Sequence, residues 1–356
     1  MAKKALVTGA CGFGGSNMVD YLIGKGIEVV ATDLDGMDKT HVNPKATFIA
    51  ADLTDKQSLT PLFKDNEIDT LFHIASVYDM EASWELLKKV NEEGTDNILS
   101  AAMENDCERV LLWSSASVYG GPAPEDLPVT EKTALKPDLH YEKSKLLQEK
   151  VAEKYINRGL KITMVRPVGI YGPRSRYGIA YLLFNIAKVP VVPLLTTMDG
   201  HTPLIHVRDL CRASYFLSER EDTIGEIYNT VDDSTYRSSE IFKGVSNHIG
   251  FFTFKLWLPF TLVYLSMMLG AKLSRWIANI FNKRALIEQD MIHYLKFDFI
   301  FDNTKLKNLG FEFHYPDSIA GLIETINWYH DNGWLSKDKI YFKIKGLTNK
   351  KTSRTA

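Results

Sequence analysis

With 356 residues and 45% apolar side chains, the chain exceeds one average domain and can bury a full core. A formal net charge of −2 gives no sign of a nucleic-acid partner. Three widely spaced cysteines, Cys11, Cys107 and Cys211, exclude a disulfide framework and suit a reducing, cytoplasmic compartment. The first strand begins at once, so no cleaved secretory signal is expected.

That strand, Lys4–Thr8, runs into a turn with Gly9, Gly12 and Gly15 at spacing three. Gly9 permits the sharp turn, Gly12 lets backbone approach a pyrophosphate, and Gly15 lets the following helix pack close to the strand. First-turn N–H groups of that helix then face the phosphates. Cys11 reads as a small residue filling the turn. A second strand, Glu28–Asp33, ends in an acid 24 positions after Gly9, where a dinucleotide-binding βαβ unit holds the adenosine ribose. Asp33, with no arginine nearby for a 2′-phosphate, favours NAD over NADP.

Further strands are expected at Thr47–Ala50, Asp69–Ala75, Val110–Ser114 and Lys161–Val165, with helices over 83–104 and 140–157. The alternation predicts an α/β doubly wound parallel sheet covered on both faces, with ligands at the carboxyl ends of the strands. Ser115 follows the fifth strand. Tyr141 and Lys145, four residues apart, share one helix face. A cation beside a phenol lowers its pKa toward the working range. Such a tyrosine can exchange a proton with a substrate oxygen while Ser115 steadies that oxygen. Tyr-x-x-x-Lys alone occurs on many exposed helices; a nucleotide fold ahead of it and a serine at the strand end favour catalysis.

The set Thr8-Gly9-x-x-Gly12-x-x-Gly15, Asp33, Asp52-Leu53, His73-Ile74-Ala75, Asn91, Ser115, Tyr141-x-x-x-Lys145, Arg166–Pro173 and His206–Leu210 resembles the extended short-chain dehydrogenase/reductase superfamily, from Lys4 to about Trp334. The resemblance implies a Rossmann fold with catalytic Ser115, Tyr141 and Lys145. It also implies an NAD site of Gly9, Gly12, Phe13, Gly15, Asp33, Asp52, Leu53, Ala75, Tyr141, Lys145 and Pro167. Lys145 would also hold the nicotinamide ribose, Asn91 would tie helix to sheet, and no metal is expected. A homodimer through helices 83–104 and 140–157 is implied as well.

Sugar-nucleotide epimerases and dehydratases share these parts, so the departures decide the branch. Gly169 stands where they resemble one another in an asparagine, and Thr202–Ile205 fills the place of an arginine for the sugar-nucleotide phosphate. His201 and Arg174 remain as alternative phosphate ligands. The form Arg-Pro-x-Gly-Ile-Tyr-Gly-Pro resembles the 3β-hydroxysteroid dehydrogenase branch with its sterol-4α-carboxylate 3-dehydrogenase (decarboxylating) relatives. That implies alcohol–ketone interconversion on a sterol- or lipid-like substrate; the rivals are a sugar-nucleotide enzyme and a non-catalytic NAD-binding module.

The expected organisation is an NAD-binding domain over 1–170, a substrate lobe over 171–335 interleaved with the last sheet elements, and a basic tail over 336–356. Gly310–Phe313 and a final helix over 316–332 are expected to close the lobe. Residues 241–287 hold no acid and six Lys/Arg around the apolar run Leu256–Leu269, and the tail holds seven Lys/Arg against Asp338. Three readings stand: a run buried in the lobe, peripheral contact of 250–284 and the tail with a membrane surface, or a transmembrane span, for which the run is short of the ~20 residues needed.

Overall fold

The computed structural model describes residues 3–64, 66–78, 82–176, 178–179, 182, 191–280 and 292–335. The basic tail and Lys283 and Arg284 lie outside these residues. The chain runs β1 (Lys4–Thr8), α1 (Phe13–Gly24), β2 (Glu28–Asp33), β3 (Thr47–Ala50), α2 (Thr60–Lys64) and β4 (Thr70–His73). The long helix is not uniform: α3 (Trp84–Leu87) passes through a π-helical turn (Lys88–Glu93) into α4 (Gly94–Glu104). Next come β5 (Arg109–Trp113), α5 (His140–Ile156), β6 (Ile162–Pro167), β7 (Gly169–Tyr171), β8 (Val191–Leu195), β9 (Leu204–His206) and α6 (Val207–Ser218). The remainder is β10 (Ile227–Thr230), α7 (Ser238–Ile249), β11 (Phe252–Leu256), α8 (Phe260–Ile280), α9 (Thr304–Lys307) and α10 (Ser318–Asp331).

Seven strands form one parallel sheet in the order β10-β6-β5-β4-β1-β2-β3. β5 and β6 are buried along their whole length, as strands covered on both faces must be. The β3-β2-β1-β4-β5-β6 part is the doubly wound nucleotide-binding order. One core of this unit gathers Leu6, Leu71, Val110 and Ile162 from the strands with Ile98, Leu99 and Tyr155 from the helices.

Two compact units divide the chain: 1–168 with 207–231 and 301–314, and 169–206 with 232–300 and 315–356. Gly310–Phe313 therefore belongs to the sheet unit and does not close the lobe. Three contacts hold it there. Arg212 Nη1 donates to the Glu312 carbonyl at 3.0 Å, its guanidinium lies 5.2 Å from the Phe311 ring, and His314 N donates to Asp209 Oδ1 at 3.0 Å. The second unit has its own core of Tyr171, Leu204, Ile241, Val245, Leu322 and Ile326, with parallel pairs β7–β9 and β8–β11.

Candidate active site

Most residues expected to touch a dinucleotide lie at or after the carboxyl ends of β1, β2, β3, β4 and β6; Tyr141 and Lys145 are on α5. Gly9 adopts φ +69°, and a Cβ there would lie 2.9 Å from Ala75 Cα, so the turn after β1 closes against the loop after β4 only with glycine. A Cβ on Gly15 would strike the Gly9 carbonyl, which fixes the close packing of α1 on β1. Gly12 is the exposed N-cap of α1 and supplies no side-chain cap, leaving that helix end suited to an anion. At the end of β2, Asp33 Oδ2 accepts from Cys11 N at 2.9 Å and Oδ1 from Leu34 N at 2.9 Å, so the acid shapes the glycine loop itself. Burial, then Asp33, push the Cys11 thiol up to about 11, which keeps it protonated and fits its reading as a turn filler. Ala51 N donates to the Asp33 carbonyl at 3.0 Å, which places exposed Asp52 and buried Leu53 beside that strand end. Pro167 ends β6 in register with Thr230.

Beneath the turn lies a closed network centred on buried His73. The Thr95 hydroxyl donates to the Asn91 carbonyl at 2.8 Å and so must accept from His73 Nε2, 2.8 Å away. The ring proton is therefore on Nε2, and bare Nδ1 accepts from Thr8 Oγ1 at 2.9 Å. Thr8 Oγ1 in turn accepts from Ile74 N and Ala75 N at 3.1 Å each. Burial, and next the Lys145 charge, depress the imidazole to about 3. Asn91 is in the π-helical turn and is fully buried. Its Oδ1 accepts from Val77 N at 2.8 Å and Ser76 Oγ at 3.0 Å, while Nδ2 donates to Ser144 Oγ at 3.0 Å. Asn91 thus ties the loop after β4 to α5.

The face of α5 that turns inward is polar to an unusual degree: Tyr141, Ser144, Lys145, Gln148 and Glu149 are all buried at helical spacing. Ser115, at the N-cap of a 3-10 turn after β5, stands near enough to the Tyr141 phenol to oppose the rise in its pKa. Tyr78 packs edge-on against the Tyr141 ring, centroids 5.3 Å apart. Lys145 Nζ donates to the Trp113 carbonyl at 2.8 Å and to Ser76 Oγ at 3.5 Å. Burial lowers its ammonium to about 7, with Glu149 opposing.

One expectation is overturned. The phenol is not made acidic by Lys145 in this state: burial, and next Tyr78, push Tyr141 well above its ordinary value, and Ser115 opposes them. Lys145 is itself desolvated and spends its proton donors on β5 and the β4 loop.

The sequence reading missed the groups that hold this face in place. Glu149 accepts from Arg166 Nε at 2.9 Å and Nη2 at 2.7 Å, and from Ser114 Oγ at 2.5 Å. Arg166 Nη1 continues to the Tyr119 hydroxyl at 2.8 Å, which donates to Asn229 Oδ1 at 2.8 Å. The signal for this chain lay in Arg166, opening the Arg-Pro stretch, and Glu149, one turn beyond Lys145.

A model of the NAD dependent epimerase/dehydratase family matches residues 5–230. The chain belongs to this family of NAD-dependent extended short-chain dehydrogenases/reductases, and its cofactor is NAD. It is similar to the sterol-4-alpha-carboxylate 3-dehydrogenase, decarboxylating, of Bos taurus: 36% identical over 182 residues, 49% of this chain and 48% of that protein. The match therefore spans about half the length of that relative. Short-chain dehydrogenase/reductase family 42E member 1 of Macaca fascicularis is 27% identical over 353 residues, 93% of this chain and 88% of that protein. Among solved structures, a UDP-glucose 4-epimerase of Thermotoga maritima with UDP-glucose superposes with TM-score 0.75 at 21% identity, covering 92% of this chain and 99% of that one. That likeness is one of fold.

Proposed function

We propose that this chain interconverts a secondary alcohol and a ketone on a sterol- or lipid-like substrate, with Tyr141 carrying the proton. The observation that carries this reading is the buried polar face of α5, with Tyr141 beside Ser115 of the turn after β5 and Lys145 one turn behind. Gly9, Gly12, Phe13 and Gly15 would hold the pyrophosphate, Asp33, Asp52 and Leu53 the adenosine half, and Ala75, Pro167 and Lys145 the nicotinamide end. Bound NAD supplies the hydride acceptor, or its reduced form the donor.

Burial favours the neutral phenol, the form that gives its proton to a ketone oxygen. Ser115 donates a hydrogen bond to the same oxygen and fixes it. Alcohol oxidation returns that proton to the phenolate. Where the product has a carboxylate β to the new ketone, the carbonyl accepts the electrons as CO₂ leaves, and no further side chain is needed.

Three observations in the second unit favour an oily substrate over a sugar nucleotide. A Cβ at Gly169 would lie 3.0 Å from Leu204 Cδ2 and 3.2 Å from the Pro203 carbonyl, so an asparagine there would be crowded and would need its neighbours to give. Leu204 and Ile205 are buried where that branch carries its arginine stretch. His201 Nδ1 lies 2.8 Å from Asp298 Oδ1, and a carboxylate at that distance disfavours a phosphate. The 36% identity to a sterol dehydrogenase supports the same choice.

The test pairs NAD-linked turnover of 3β-hydroxysterols with a thermal-shift panel of UDP- and GDP-sugars. Sterol-dependent NADH formation is expected; strong stabilisation by a UDP-sugar without it would overturn the substrate class. A homodimer through α3–α5 is proposed alongside, and sedimentation equilibrium measures it.

A further inference from the structure

Helix α8 carries a line of large apolar side chains that point into solvent. Leu262, Leu265, Leu269, Leu273, Trp276 and Ile280 recur every three or four residues and are all exposed, Leu269 at 69% and Trp276 at 62%. At 1.5 Å per residue the stripe runs about 27 Å along one face. Val263 and Ala271, off the stripe, are buried. The reading that buries this run in the lobe therefore holds for one side of the helix only. Trp257, just ahead of the helix, is 69% exposed as well. An apolar patch of this length on one element marks a contact surface.

We propose that this face docks on the surface of an anionic lipid bilayer, with α8 lying in the interface plane. Charge decides the occupant. Residues 241–287 contain no Asp or Glu and six Lys/Arg, and the tail adds seven more against one acid. Lys255 and Lys272 are exposed on the same strand–helix segment as the stripe. Cations bordering an apolar face are the composition of an interfacial helix, and each basic group near an anionic leaflet adds attraction. A second copy of this chain would bring like charges together along the same seam. Spanning is excluded for α8: no described helix is long and apolar enough to cross, and Lys272 and Arg275 interrupt this one. Trp257 and Trp276 suit the headgroup level, where indole rings concentrate.

The experiment is flotation of the full chain with phosphatidylcholine vesicles, with and without phosphatidylserine. The chain is expected to float with the anionic vesicles and to be released progressively by salt. The variant Leu265→Glu/Leu269→Glu changes only exposed side chains, so it should keep its NAD binding and circular dichroism while its vesicle partition falls about tenfold or more. Bromolipid quenching of tryptophan fluorescence reports whether the indoles enter the interface. Wild-type protein left at the bottom of the gradient, or a variant that floats equally well, would overturn the proposal. So would self-association abolished by the variant without any flotation, because a second copy would then cover the stripe. None of these readouts depends on turnover, so the substrate reading stands or falls separately.

Discussion

Tyr141 and Lys145 lie one turn apart on α5, yet the ammonium of Lys145 is anchored on the Trp113 carbonyl at 2.8 Å while the phenol of Tyr141 stands near Ser115. The two groups are positioned by β5 and by the turn that follows it. The strand end, more than the helix spacing, sets the chemistry.

Replacing Tyr141 with Phe removes the group proposed to move the proton and leaves the glycine loop and Asp33 intact. Turnover should fall on the order of 10²–10⁴-fold with the NAD dissociation constant nearly unchanged, read by steady-state kinetics and NADH fluorescence titration. Ser115→Ala should lower kcat by on the order of 10²-fold, since it also frees the phenol of its one lowering contact.

Lys145 gives the cofactor-free protein a pH signature. Its pKa is about 7 when folded against 10.5 for a free lysine, so between these limits the unfolded chain holds a proton the folded chain lacks. Stability should rise with pH across that window. In Lys145→Met the rise disappears, and the variant's stability relative to wild type should be greatest near pH 7 and decline toward pH 10. Urea midpoints at several pH values measure this.

His73 acts on the acid side. With its folded pKa at about 3 against 6.5, it stays neutral while the unfolded chain becomes protonated. Stability should drop as pH falls from 6.5 toward 3, by up to about 1.4 kcal/mol per pH unit from this group. His73→Gln should flatten that slope in acid-titrated chemical denaturation.

The Glu149–Arg166 pair is almost completely buried, with exposures of 1% and 3%. Glu149→Ala alone leaves a guanidinium without its carboxylate and should cost about 3–5 kcal/mol in urea unfolding. The double variant Glu149→Leu/Arg166→Met should lie closer to wild type than either single change.

Much of the nucleotide half was legible because its strands are short apolar runs punctuated by turn residues. Lys4–Thr8, Glu28–Asp33 and Thr47–Ala50 appear within the predicted bounds. Ser115, Tyr141 and Lys145 were legible from spacing, and the structure gathers them at the end of β5 and on α5. Their electrostatics were not, because desolvation depends on what covers a residue and spacing does not reveal it. Glu149 and Arg166 escaped notice for a related reason: a charged residue in sequence reads as surface until its partner, 17 positions away, is seen beside it. Gly310–Phe313 was expected to close the lobe because chain order suggested continuity, while Arg212 and Asp209 hold this stretch through long-range contacts. The apolar run Leu256–Leu269 was visible in the sequence, but the exposure of the α8 stripe was not.

The interleaving of the two units bears on how the chain is made. β6 borders β5 on one side and β10 on the other, and β10 is synthesised only at Ile227–Thr230, after β7, β8 and β9 have been threaded into the other unit. During translation β6 therefore stands as an open strand edge, the kind of surface that invites mispairing. The Phe301–His314 piece arrives later still. A nascent chain halted before residue 231 would expose that edge to its neighbours on the polysome, and chaperone capture should be densest over this interval.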